Sequence, residues 1–160
     1  MVILGISIGT RASGIAVISG KGLIQWNTLS FKDSWSTKKG EHIIGKYEKF
    51  LKDHNVAVVV LKIPRVSHHT EAILNLLQKI QSIIAYHGCM VEYKTQAEIK
   101  TAIPEIRNKS ELIIHTASLY PILLKEQTRE LSSKNSYHDK MFEAVLVAHL
   151  WKQEHKNPQN

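Results

Sequence analysis

Apolar residues fall in runs along the 160-residue chain, and the spacing of those runs predicts its elements. Residues 2–6 are apolar apart from Gly5. The turn Gly9-Thr10-Arg11-Ala12-Ser13-Gly14 follows, and residues 15–18 are apolar again. β-Branched runs on either side of a short turn with glycine at both ends predict a β-hairpin. A tight turn at residues 20–22 leads to a third strand over 23–29, which completes an antiparallel meander with residues 1–8 at its inner edge. Residues 56–61 are almost wholly apolar, the pattern of a strand covered on both faces, as in a parallel sheet. A short fifth strand is predicted over 89–93.

Between these runs the period changes. Ile43, Ile44, Tyr47, Phe50 and Leu51 recur at helical spacing and predict an amphipathic helix over 42–54, after a polar surface loop at 32–40. Pro64 ends the fourth strand, and residues 65–69 form a loop. Residues 70–86 carry Ile73, Leu74, Leu77, Ile80, Ile83 and Ile84, a long helix with a wide apolar face. Thr95 and Glu98 stand at capping-box spacing and start a short helix that runs to 103. A helix over 110–125 contains Pro121, which should kink or split it. Residues 127–137 read as a polar loop, and 139–152 as a closing helix. This order predicts an α/β fold with a mixed five-stranded sheet, three antiparallel strands followed by two parallel ones. Right-handed crossovers would put helices on both faces. One domain is expected over 1–154, with residues 155–160 a frayed tail.

Charge narrows the class of partner. Lys and Arg number 21 against 14 Asp and Glu, a formal net charge of +7. Such a balance favours a polyanion, nucleic acid before membrane, although a solvated basic surface without such a partner has the same composition. The lone Cys89 excludes an internal disulfide and suits a reducing cytoplasm. No apolar run approaches about 18 residues, so no transmembrane helix is expected. The strand follows Met1 with no basic leader, so no signal peptide is expected either.

Several segments resemble one family. Ile3-Leu4-Gly5-Ile6, Gly9-Thr10-Arg11, Ser13-Gly14 and Ala16-Val17-Ile18 follow the first hairpin of the RuvC-type Holliday-junction resolvases, in the ribonuclease H-like superfamily. Glu92-Tyr93 followed by residues 97–102 is similar to a second segment of that family. Lys109 stands where the family has a Lys-led helix, and residues 143–149 resemble its closing helix. YqgF-type proteins share the hairpin but match the second segment less well. The resemblance covers nearly the whole chain and implies a ribonuclease H-like fold.

It also implies a chemistry that this chain alters. The family holds two Mg²⁺ ions with four carboxylates to cut nucleic acid. The corresponding positions here are Ser7, Lys62, Lys140 and Glu143, with Asp139 one residue out of register as a possible substitute. By residue counting the local charge changes from about −4 to about +1, which opposes divalent binding. Ser7 is also readable as a small polar residue at a strand end. Lys62 is readable as a snorkelling lysine or as an ammonium in the old metal position. The family's wedge loop carries an aromatic residue where Arg65 stands here, followed by His68 and His69. Neither histidine has partners at metal spacing. His138-Asp139 is a further acid–base candidate. Thr10, Arg11, Ser13, Arg65, His69, Lys94, Lys100 and Lys109 are expected to contact nucleic acid, with Arg107 in the same basic neighbourhood.

The expected function is therefore a catalytically degenerate RuvC-like protein that binds branched or duplex nucleic acid without metal-dependent cleavage. No cofactor is expected, and Mg²⁺ enters only under the first alternative, an active structure-selective endonuclease with a rearranged acidic site. A second alternative is a protein-interaction module on the same scaffold. Residues 5–10 also resemble the phosphate loop of sugar kinases and chaperone ATPases, but 160 residues leave no room for the second domain that those require. Family members are homodimers, and the apolar face over 70–86 could supply the interface, though core packing explains that face equally well.

Overall fold

The computed structural model describes residues 1–133 and 139–156. Five strands form one sheet: β1 (Ile3–Ser7), β2 (Ala12–Ser19), β3 (Gly22–Ser30), β4 (Val58–Lys62) and β5 (Met90–Lys94). Their spatial order is β3-β2-β1-β4-β5. β1 pairs antiparallel with β2, β2 antiparallel with β3, and β1–β4 and β4–β5 are parallel. The expected mixed sheet is present, with β1 at its centre.

Six helices complete the described chain: α1 (Thr37–Asp53), α2 (Glu71–Tyr86), α3 (Gln96–Ala102), α4 (Lys109–Leu119), α5 (Leu124–Ser132) and α6 (Asp139–Glu154). Alternation along the strands divides the core in two. Leu4, Ile6, Val17, Val59 and Leu61 face α1 and α2, where Ile43, Tyr47, Leu76 and Ile80 meet them. Ile3, Ala16, Ile18, Val58 and Val60 face the other layer, built on Ile99, Leu112, Phe142 and Val145. Residues 58–61 of β4 are fully buried on both sides, as their unbroken apolar run requires. None of the described helices is long and apolar enough to cross a membrane.

Two boundaries differ from the sequence reading. Helix α1 begins at Thr37, inside the expected loop, because the Ser36 side chain accepts from the Lys39 amide at 3.1 Å and caps it. Its first turn is polar, so apolar periodicity does not register it. The segment after 127 is helical to Ser132, the end of α5, where a polar loop is expected. Its one buried side chain is Glu130, so there is no apolar stripe to read. Pro121 does split the preceding helix: α4 stops at Leu119, a 3-10 turn spans Pro121–Leu123, and α5 follows. Residues 134–138, including His138 of the proposed acid–base pair, and residues 157–160 of the expected tail lie outside the described residues.

Helix α6 lies directly on strand backbone. A Cβ on Gly14 would overlap the Lys140 carbonyl, and one on Gly5 would overlap the Ala144 carbonyl and sit 3.0 Å from the Ala148 Cβ. Both obstacles are helical backbone, which cannot swing aside. Gly14→Ala is therefore expected to destabilise the fold by about 2–3 kcal/mol or more, as overpacking does in a close-packed core. Gly45→Ala is the contrast: in α1 a Cβ at that exposed site meets nothing within 4 Å. It should stabilise by about 0.5–1 kcal/mol through helix propensity. Urea midpoints of the two variants beside wild type decide this. Equal stability would show that α6 does not depend on bare strand backbone.

Candidate functional site

The site forms where three elements end together. Ser7 closes β1 and Lys62 closes β4, and the two are directly paired across the parallel register. The first turn of α6 brings Lys140 and Glu143 over them, three residues apart and so on one face. Glu143 is the hub. One carboxylate oxygen accepts from the Ser7 hydroxyl at 3.1 Å, and the other lies 2.7 Å from the Lys62 ammonium. Both side chains of the ion pair are only 12% exposed. Ser7 is itself buried, so its hydroxyl supports the carboxylate rather than facing solvent.

Lys140 is different. Its ammonium donates to the Ile8 carbonyl at 3.3 Å. Its Cε lies against Gly9, where a Cβ would be 3.0 Å away. Burial holds its basicity below the ordinary lysine value; Glu143 opposes that shift and the Lys62 charge adds to it. Asp139, beside it on the helix, pairs instead with Lys109 of α4 at 3.2 Å.

Lys62, Lys109, Asp139, Lys140 and Glu143 line a groove of about 450 Å³. Arg65 and Arg107, the latter paired with Glu111 at 3.2 Å, complete its cationic wall beside His68, so the lining holds five Lys and Arg side chains and two carboxylates, Asp139 and Glu143. A second hollow of about 430 Å³ adjoins it, with Thr10 and Arg11 in its lining. Pro64, His68, Asp139 and Lys140 belong to both, so the positive surface is continuous from α4 to the β1–β2 turn.

The structure thus gathers Ser7, Lys62, Lys140, Glu143 and Asp139 at one point, with Arg65, Lys109, Thr10 and Arg11 around it. Other expected contact residues stand elsewhere. Ser13 is fully buried; its hydroxyl donates to the Gly9 carbonyl at 3.1 Å and hydrogen-bonds the Tyr47 hydroxyl. It braces the turn from behind and is closed to a ligand. Lys94 is 8% exposed and held by both oxygens of Glu154 at 2.7 and 2.8 Å, so its charge is spent internally. Lys100 is exposed on α3 but does not line the groove. His69 bonds the Pro64 carbonyl at 2.8 Å and shapes the loop. Two contributors carried little signal. Tyr47 reads as one more apolar helix position, yet it anchors the turn through Ser13, and burial pushes its phenol well above the ordinary value. His68 reads as a loop histidine and lines both hollows.

The residues present do not fit the Mg²⁺ ions that the resemblance implies. A hard divalent ion needs several oxygen ligands, mostly anionic. Here one carboxylate is already satisfied by an ammonium and a hydroxyl, and a second ammonium stands nearby. Among the described residues no three His, Cys, Asp or Glu side chains cluster as a metal site.

Comparison with solved structures places this geometry in a known fold. The chain superposes on Thermus thermophilus RuvC in complex with Holliday junction substrate with a TM-score of 0.72 at 14% identity, covering 98% of this chain and 96% of that one. On a second Thermus thermophilus RuvC structure the TM-score is 0.70 at 15% identity, covering 96% of each chain. No protein-family model and no curated protein matches the sequence. The chain therefore has the RuvC-like, ribonuclease H-like fold.

Two outcomes follow from this site. Glu143→Gln would leave the Lys62 ammonium mostly buried without a countercharge, and should destabilise by about 2 kcal/mol. A change below about 0.5 kcal/mol, the range of an exposed pair, would place Lys62 in solvent instead. The second test restores acids on the intact scaffold: Ser7→Asp, Lys62→Glu and Lys140→Asp together, with Glu143 kept. The apo variant should melt below wild type through carboxylate repulsion and regain stability in Mg²⁺. A melting temperature no more responsive to Mg²⁺ than that of wild type would show that the four positions do not converge closely enough to hold an ion.

Proposed function

We propose that this protein binds nucleic acid, branched or duplex DNA first, along the cationic groove and without metal-dependent cleavage. One observation carries the reading: at the focus of the groove, the carboxylate of Glu143 is neutralised by Lys62 at 2.7 Å while further lysines and arginines line the walls. The ion pair supplies internally the positive charge that a metal would bring, so the acidic patch needed to recruit one is missing. What remains suits phosphates, whose contacts with Lys and Arg are sequence-independent and salt-sensitive. That Thermus thermophilus RuvC, with the same fold, was solved with a Holliday junction supports a branched substrate. The reading includes a homodimer, for which the exposed Leu74 on α2 offers apolar surface, and a cytoplasmic setting suited to the free Cys89.

The competing reading, a nuclease with a rearranged site, would rest on Asp139, Glu143 and Ser7. Asp139 is engaged by Lys109 through one oxygen, and Glu143 by Ser7 and Lys62 through both, so an ion would have to displace these partners.

Gel-shift and cleavage assays on four-way junction, duplex and single-stranded DNA and RNA separate the two. Binding should be insensitive to chelator and fall steeply with salt. Arg65→Ala should weaken it several-fold on every substrate and reduce the salt slope by about one. No product should form with Mg²⁺ or Mn²⁺. Cleavage abolished by Glu143→Gln would establish the nuclease. An absence of binding at low salt would leave a protein partner as the default.

A further inference from the structure

We propose that Lys140 is the seat of a single phosphodiester group, held by a bare ammonium at the junction of the two hollows. This rests on the nucleic-acid reading and names the group that the focus of the groove takes. The cations there are not equivalent. Lys62 is committed to Glu143 at 2.7 Å and Lys109 to Asp139 at 3.2 Å. Lys140 has a carbonyl at 3.3 Å and, among the described residues, no carboxylate at ion-pair distance. A partly buried ammonium satisfied by one long bond to a neutral acceptor retains donors and charge for an anion.

Its place strengthens the point. Lys140 lies in the wall shared by the two hollows, and His68 lines both. A group seated against it would have Arg65 on one side and Arg11 on the other, while Arg107 is held by Glu111 at 3.2 Å. Partial burial lowers the local dielectric and strengthens the contact. The same burial depresses the Lys140 basicity, a cost that a seated anion reverses.

The surrounding acids set the class of ligand. Asp139 and Glu143 stand in the same groove, each balanced by one lysine. Of the three lysines that line the groove, Lys140 is the one with no carboxylate partner among the described residues, and its single charge matches one negative charge. A phosphodiester carries one, whereas a terminal phosphate near neutral pH carries closer to two and is repelled by the neighbouring carboxylates. The seat should therefore prefer the interior of a strand to its end.

Lysine side chains labelled at Cε report the seat directly. Titration of the whole protein with dimethyl phosphate should move the Lys140 resonance saturably, and inorganic phosphate at pH 7.5 should move it less at equal concentration. In gel shifts with chelator present, Lys140→Gln should lower four-way-junction affinity about tenfold and the salt slope by about one, while Lys140→Arg should restore most of it. Junction affinity and slope unchanged in Lys140→Gln would overturn the seat and leave the groove reading standing. A Lys140 resonance that follows dimethyl phosphate, in a protein that binds no nucleic acid, would keep the seat and overturn that reading. Failure of both measurements removes both. Should Lys140→Gln not fold, the titration of wild type decides alone: no shift, or an equal shift with inorganic phosphate, refutes the phosphodiester seat.

Discussion

The contact of α6 with strand backbone at Gly5 and Gly14 governs the rest of the molecule. Helices usually stand off a sheet by the depth of two side-chain layers. Here the missing Cβ atoms on β1 and β2 let the helix backbone touch the strands. That approach brings the short reach of Glu143 onto Ser7, at the end of the central strand. A methyl group on either glycine would lift the helix and separate the groups that form the site. The interior of α6 is buried nearly all round, from Met141 to Ala148, because it is wedged between the sheet and α4.

Electrostatics at that point follow from packing. A carboxylate drawn into a mostly buried position is costly unless a positive charge meets it. A divalent ion is one way to meet it, and a lysine from the adjacent strand is another. Lys62 supplies the second, with Ser7 satisfying the remaining oxygen. The exchange leaves the groove net positive, the sign that the proposed polyanionic partner requires.

The turn between β1 and β2 is held from behind as firmly as from above. Ser13 ties the Gly9 carbonyl to the Tyr47 hydroxyl of α1, and Phe31 donates its amide to the Arg11 carbonyl. Lys140 crosses the front of the same turn to reach Ile8. Thr10 and Arg11 are thus presented on a braced loop, and residues from both helical layers converge on one turn.

Much of this was legible in the chain. Apolar runs and their periods determined the five strands, the double burial of β4 and the helices with wide apolar faces, because burial acts on each residue through its own side chain. The pairing of Ser7, Lys62, Lys140 and Glu143 was readable only by resemblance, since nothing in their spacing brings positions 7, 62 and 143 together. Polar elements escaped: the first turn of α1 and most of α5 are helical by capping and packing rather than by an apolar stripe. The state of each charge was decided by tertiary structure alone. Lys94, Lys100 and Lys109 look alike in sequence, yet one is buried on Glu154, one stands exposed away from the groove, and one pairs with Asp139 across it. Residue type sets the charge a side chain carries; only the fold sets the distance to its counter-charge, and Coulomb energy depends on both.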